Sequence, residues 1–271
     1  MDASDNEFRA KYGPWALIAG ASEGLGAEFG RQLAQKGLNL VLVARRADAL
    51  GEVARALAKD HGVEVRDIPF DLASPELGTA LREKTADLEV GLLVYNAAFG
   101  LIGPFLDQRI EDKLRVIDIN CRGPLVLAHE FGRAMVERGR GGILLMSSLA
   151  GFQGSPGLAT YAASKAYDTV LGEGLWGEFR PHGVDVLSFC AGATRTPNFE
   201  RSQPRVSSNP MAQVMEVEPV VSEALSSLGV VPSAVAGRRN RLASALMRRI
   251  FSRRLAVETI ARSTASMYSK K

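Results

Sequence analysis

Tyr161 and Lys165 stand four residues apart in "YAASKAYD" (161–168), with nothing bulkier than alanine and serine between them. On a helix, positions i and i+4 share one face. A fixed cation beside a phenol favours loss of its proton, which suits a general acid/base working near neutral pH. Such a pair is also common on ordinary surface helices. Its meaning therefore depends on what else the chain brings to the same face.

A second stretch with chemical content is "GASEGLG" (20–26), which offers Gly20, Ser22, Glu23, Gly24, Leu25 and Gly26. Glycines at this spacing let a backbone turn sharply and approach a diphosphate, whose charge a helix N-terminus favours. About twenty residues on, an NAD site usually carries an acid for the ribose hydroxyls. This chain has "VARR" there, with Arg45 and Arg46 and no acid. An arginine can clamp a 2′-phosphate through its planar fork. The expected cofactor is NADP(H).

Both motifs need elements to hold them. Apolar runs without polar alternation recur at "WALIAG" (15–20), "LNLVLVA" (38–44), "VEVRDIPF", "VGLLVYNAA", "GGILLMSS" and "VDVLSFCAG". Between them lie helical patterns: one with Leu25, Phe29 and Leu33 in step, then others near 47–60, 75–87, 110–138 and 160–180. Strands of this kind alternating with helices predict a parallel sheet buried on both faces. With right-handed crossovers this is an α/β fold, a Rossmann-like doubly wound sheet. One domain over 1–237 is expected, followed by a basic helical C-terminal extension over 238–271. Ligands in such sheets bind beyond the carboxyl ends of the strands. The segments to inspect are thus 20–26, 44–46, Asp71, 96–98, 147–148 and 191–196.

Taken together, "GASEGLG", Asp71 of "FDLAS", "YNAA" (95–98), "DIN" (118–120), "SS" (147–148), "YAASK" (161–165) and "GATRT" (192–196) resemble the classical short-chain dehydrogenases/reductases over about residues 13–196. The resemblance implies four catalytic residues. Tyr161 would exchange a proton with the substrate oxygen, and Lys165 would favour the phenolate and bind the nicotinamide ribose. Ser148, thirteen residues before the tyrosine and so preferred over Ser147, would polarise the carbonyl. Asn120 would help hold a water that relays protons to Lys165. Asp71 and Leu72 would meet the adenine, and Asn96, Ala97 and Ala98 would run along the cofactor. Gly192, Thr194 and Thr196 would close over it. Four positions depart from the family pattern: Tyr95 and Ala98 in "YNAA", Ala191 before Gly192, and Glu23, where NADP-preferring members often carry a basic residue.

The substrate side is read from "FGLIGPF" (99–105), "LAGFQGSPGL" (149–158) and the stretch from Arg195 to Met215, the last expected as a lid. Phe99, Phe152 and Phe199 would line the pocket with Ser148 and Tyr161, joined by Leu101, Ile102, Phe105, Met211 and Met215. That lining predicts a hydrophobic ketone or alcohol. Ketone reduction is the expected direction. A 3-oxoacyl-thioester reductase is one alternative, and a non-catalytic NADP(H)-binding regulatory protein is another.

Composition narrows the class further. With 46% hydrophobic and 23% charged residues the chain can bury a large core. Cys121 and Cys190 lack any CxxC spacing, and three scattered histidines suggest no metal site. The acidic, polar N-terminus is unlike a signal peptide, and no apolar run is long enough to span a membrane. The expected place is the cytoplasm. From Arg238 onward ten Lys or Arg meet one acid, Glu258, so the rest of the chain is net acidic although the total is +3. In "GRRNRLASALMRRIF" (237–251), Leu242, Leu246, Met247, Ile250 and Phe251 share one arc, with Arg241, Arg248 and Arg249 opposite. Ser252 would cap a second helix. The pair could pack on its own or a partner subunit, lie on an anionic membrane as a peripheral contact, or attract an acidic thioester carrier. Aromatics are too few there for nucleic acid. A homodimer or homotetramer through helices 110–138 and 160–180 is implied by the resemblance.

Overall fold

The computed structural model describes residues 3–202 and 214–268. Strands β1 (Trp15–Ala19), β2 (Asn39–Ala44), β3 (Val65–Pro69), β4 (Val90–Tyr95), β5 (Gly141–Ser148), β6 (Val184–Ala191) and β7 (Ser233–Val235) form one sheet in the order β3-β2-β1-β4-β5-β6-β7. Every neighbouring pair is parallel. Two apolar cores flank the sheet. Alternate residues of one strand enter opposite cores: Leu17 and Ala19 face one, Ala16 and Ile18 the other. Burying a side chain such as Leu17 or Ile18 is worth about 1.5–3 kcal/mol, which is why the inner strands carry no polar alternation, whereas the edge strand β3 exposes Asp67.

The helices in chain order are α1 (Ala3–Tyr12), α2 (Gly24–Gln35), α3 (Ala47–His61), α4 (Leu77–Lys84), α5 (Ile110–Ile117), α6 (Gly123–Arg138), α7 (Ala159–Phe179), α8 (Pro197–Arg201), α9 (Val217–Ser227), α10 (Arg238–Ile250) and α11 (Arg253–Tyr268). The expected helix over 110–138 is not uniform. Between α5 and α6 the chain widens into a π turn over Asp118–Arg122, where the Gly123 amide bonds the Asp118 carbonyl. Such turns recur at functional sites because they redirect single side chains. The Tyr95 hydroxyl at the end of β4 donates to the Ile119 carbonyl at 2.5 Å. Tyr95, one of the departures in "YNAA", thus fastens the π turn to the sheet.

α1 is an element the sequence reading did not assign. Tyr12, buried at its end, donates to Asp185 Oδ2 at 2.5 Å and ties the N-terminal segment to β6. Burial and the adjacent Asp185 carboxylate push the Tyr12 phenol well above its ordinary range. After β7, α10 and α11 fold back over the segment following β5. Leu255 N–H donates to Ser252 Oγ at 3.2 Å, so Ser252 opens α11 as expected. The facing of α10 differs from the expectation. Of the expected apolar arc only Met247 and Phe251 are half-buried, while Leu242, Leu246 and Ile250 stay exposed, and Arg248, itself exposed, lays its guanidinium over the Phe152 ring at 4.8 Å. A guanidinium can stack on an aromatic face while keeping its charge hydrated, so an exposed arginine is compatible with this contact.

Candidate active site

The carboxyl ends of β1, β2, β4, β5 and β6 bring the expected segments to one edge of the sheet. The turn after β1 is built on bare backbone. Gly20 has φ 88°, and a Cβ there would lie 2.7 Å from Ala97 Cα. A Cβ on Gly26 would lie 1.9 Å from the Gly20 carbonyl oxygen. Asn96 Nδ2 holds that same oxygen at 2.9 Å, so β4 braces the turn. Ser22, Glu23, Gly24 and Leu25 complete the entry into α2, with Leu25 packed on the core. This cradle leaves the N-terminus of α2 open to an anionic group and fits a dinucleotide diphosphate.

The two arginines after β2 are exposed, but their settings differ. Arg46 Nη2 reaches Glu23 Oε2 at 2.7 Å and Ser22 Oγ at 3.3 Å. Arg201 of α8 grips the same carboxylate, its Nη1 at 3.1 Å from Oε2. Arg201 and Arg46 together hold the Glu23 carboxyl below its usual range despite partial burial. Glu23 is therefore not a free carboxylate in the loop but one paired with Arg46 and Arg201. It orients Arg46 across the mouth of the glycine turn.

Asp71 was expected to face adenine, and its carboxylate is already engaged. Arg115 Nη2 lies 2.9 and 2.8 Å from its two oxygens, and the Ala73 amide donates at 3.1 Å. Burial favours its protonated form, but Arg115 and the Ala73 amide more than offset that, so the carboxyl sits below the ordinary range. Leu72 beside it is buried in the core. Ala97 packs on that core too, and Ala98 is exposed at the edge.

On the catalytic side, β5 ends in two serines with separate surroundings. Ser147 is buried, donating to the Lys165 carbonyl at 2.7 Å and sharing a hydrogen with Thr169 Oγ1 at 2.8 Å. It joins β5 to α7. Ser148 is partly open, and its Oγ accepts from the Ala150 amide at 3.2 Å. Tyr161 is half-buried near the start of α7, with Gly100 against its ring. Asn120, fully buried in the π turn, accepts from Phe99 N at 2.8 Å and donates to Phe99 O and Ser164 Oγ, each at 2.9 Å. Its amide group thus positions the loop after β4 against α7.

Lys165 is buried, its Nζ 6.0 Å from the Tyr161 ring centre. That ammonium donates to the Met146 carbonyl at 2.7 Å and to Asp168 Oδ2 at 2.9 Å. Asp168, equally buried, is the residue the sequence reading passed over. It closes the quoted "YAASKAYD", and its i+3 spacing from Lys165 was the available signal.

Over the other end of the site, Thr194 Oγ1 donates to the Gly192 carbonyl at 3.1 Å. Thr196 caps α8 by accepting from Phe199 N at 3.1 Å, and its side chain lies 3.1 Å from where a Gly24 Cβ would sit. Backbone bonds pair Ala193 and Arg195 with Met215. Met211, expected in the lining, lies outside the described residues. Phe99 and Phe199 are half-buried at this edge. Phe152 instead lines a cavity of about 300 Å³ beneath the C-terminal helices, with Thr169, Met247, Arg248, Phe251 and Ala256. Neither Ser148 nor Tyr161 borders it.

The family model of the short chain dehydrogenases matches residues 14–206. A 7beta-hydroxysteroid dehydrogenase of Clostridium sardiniense is 34% identical over 236 residues, covering 86% of this chain and 89% of that protein. A very-long-chain 3-oxoacyl-CoA reductase of Podospora anserina is 39% identical over 181 residues, covering 65% of this chain and 53% of that protein. Among solved structures, a 7beta-hydroxysteroid dehydrogenase superposes with TM-score 0.87 at 29% identity, over 93% of this chain and 98% of the other. A short-chain dehydrogenase from Sphingobium yanoikuyae in complex with NADPH gives 0.75 at 32% identity, over 88% and 97% of the two chains.

Proposed function

The chain belongs to the short-chain dehydrogenase family and is an NADP(H)-dependent oxidoreductase, and on that premise we propose that it interconverts a bulky, apolar ketone and its secondary alcohol, with reduction favoured. The observation that carries this reading is the seating of Lys165 behind Tyr161 at the carboxyl end of β5, beside an open Ser148. An apolar mouth supports the substrate class: Ile102 and Phe105 after β4 are large, exposed and unneeded by the core. The steroid-handling relatives point the same way.

When bound, the cofactor supplies the hydride or accepts it. The glycine cradle of 20–26 would hold its diphosphate, and Arg45 and Arg46 its 2′-phosphate. Tyr161 gives its phenolic proton to the substrate oxygen as charge develops there, and takes it back in oxidation. The Ser148 hydroxyl donates to the same oxygen and fixes the carbonyl plane. Lys165 places a positive charge behind the phenol, which stabilises the phenolate left after transfer. Asn120 keeps the loop carrying Phe99 against the helix carrying Tyr161.

Arg46→Ala should cut the preference for NADPH over NADH about tenfold or more, equivalent to about 1.4 kcal/mol. Titrations of each cofactor followed by reduced-nicotinamide emission measure it. An unchanged ratio would assign the phosphate elsewhere.

A second reading is reduction of a 3-oxoacyl thioester, favoured by the similarity to very-long-chain 3-oxoacyl-CoA reductase and by the exposed arginines of α10 and α11. A panel of steroid ketones, long-chain 3-oxoacyl-CoA thioesters and small polar ketones separates the two. Best kcat/KM on steroid ketones is the expected result. Best turnover of small polar ketones would overturn both. We also infer a homodimer or homotetramer, supported by Ile110, Leu114, Leu125 and Val170 left exposed on α5, α6 and α7. No described helix is long and apolar enough to cross a membrane.

A further inference from the structure

The reaction described above gives Asp168 no task, yet its carboxylate stands in the core beside the ammonium that reaction uses. Lys165 and Asp168 are each about 2% exposed, and Nζ and Oδ2 are 2.9 Å apart. They sit one turn apart on the inward face of α7. Among the described residues Asp168 Oδ1 has no partner, so the carboxylate bonds Lys165 and nothing else.

The groups facing this pair come from three elements. α7 contributes Tyr161 and Tyr167, the π turn Cys121, and β4 Tyr95, on which Arg122 of the π turn also acts. Arg122 is paired with Asp118 and carries its hydrogens to the Ala73 and Ser74 carbonyls. The Tyr95 hydroxyl is bound to Ile119. Asp168 is the one carboxylate acting on Lys165 among the described residues.

On this geometry, and on the catalytic reading above, we propose that Asp168 is a positioning residue that keeps Lys165 charged and seated behind Tyr161. Burial alone drives a lysine toward its neutral amine, which would remove the charge behind the phenol. Here burial is opposed by Asp168 first and Tyr161 next, and the Lys165 ammonium is held above its ordinary range. The Asp168 carboxyl is pushed up by burial and drawn back down by Lys165. Three residues of rigid helix fix the separation. The carbonyl of Met146 sets the direction of the ammonium and supplies no countercharge.

The test is Asp168→Asn, which keeps the shape and one acceptor while removing the charge. In cofactor-free protein labelled at lysine Cε, the Lys165 carbon resonance is assigned by its loss in Lys165→Arg and followed across pH. Its titration should move to lower pH by about one unit or more. The alkaline limb of kcat/KM should move with it, so the loss is confined to the alkaline side, and Asp168→Glu should return both toward the parent. An Asn variant whose Lys165 titrates as in the parent overturns the proposal. So does one that loses activity evenly at every pH. Should the Asn variant not fold, Asp168→Ser carries the same two readouts. Because the carbon titration needs no substrate, it decides this proposal even where the ketone reading fails.

Discussion

Tyr161→Phe should lower kcat/KM for the proposed ketone reduction by about 10²–10⁴-fold, the range for removing a positioned general acid. Three features make this loss specific to chemistry. The ring of Tyr161 is half-buried against Gly100, so phenylalanine refills the same volume. Ser164 Oγ donates to the Tyr161 backbone carbonyl and accepts from Asn120 Nδ2, contacts which the variant retains. The cradle of 20–26 lies on other strands. NADPH affinity and melting temperature should therefore match the parent, measured by fluorescence titration and calorimetry. A variant that turns over at the parent rate would sink the acid role, and one that kept its effect in the cell would favour the regulatory alternative.

Lys165→Met is expected to fail twice, and the two failures separate. Removing one member of a buried ion pair leaves the other charge uncompensated, at about 3–5 kcal/mol. Asp168 is in that position, since its carboxylate has no other partner among the described residues. Urea unfolding of Lys165→Met should show the loss directly. The double variant Lys165→Met with Asp168→Leu replaces the pair by apolar volume, and should recover most of the stability. Turnover should stay lost in both, because the charge behind Tyr161 is gone. If the double variant is no more stable than the single one, the two residues are not coupled as described.

The sheet was legible because buried parallel strands leave unbroken apolar runs, and "WALIAG", "VGLLVYNAA" and "GGILLMSS" are such runs. The spacing of Tyr161 and Lys165 marked one face of a helix, which α7 provides, whereas the preference for Ser148 over Ser147 came from the resemblance; Ser147 joins β5 to α7. What escaped was tertiary. A π turn has no residue signature, so 110–138 read as one helix. α1 carries only Phe8 and Tyr12 as large apolar residues, too few for a period. Arg248, though exposed, stacks on the Phe152 ring, and no sequence pattern encodes that partner. Asp168 stood in plain view, but a search for a proton donor looks from Tyr161 to Lys165 and stops.

The widened turn at Asp118–Arg122 has a geometric consequence. An α-helix advances about 100° per residue, so one extra residue in a turn resets the azimuth of everything beyond it. α5 turns Val116 inward and lies along α7, while α6 turns Leu127, Phe131 and Met135 onto the sheet and lies along α4. The two segments run on through the π turn yet are differently phased, like two gears keyed to one shaft at different angles. Asn120 sits at the key, so the phase offset that lets each segment meet its own neighbours also aims its amide at Phe99.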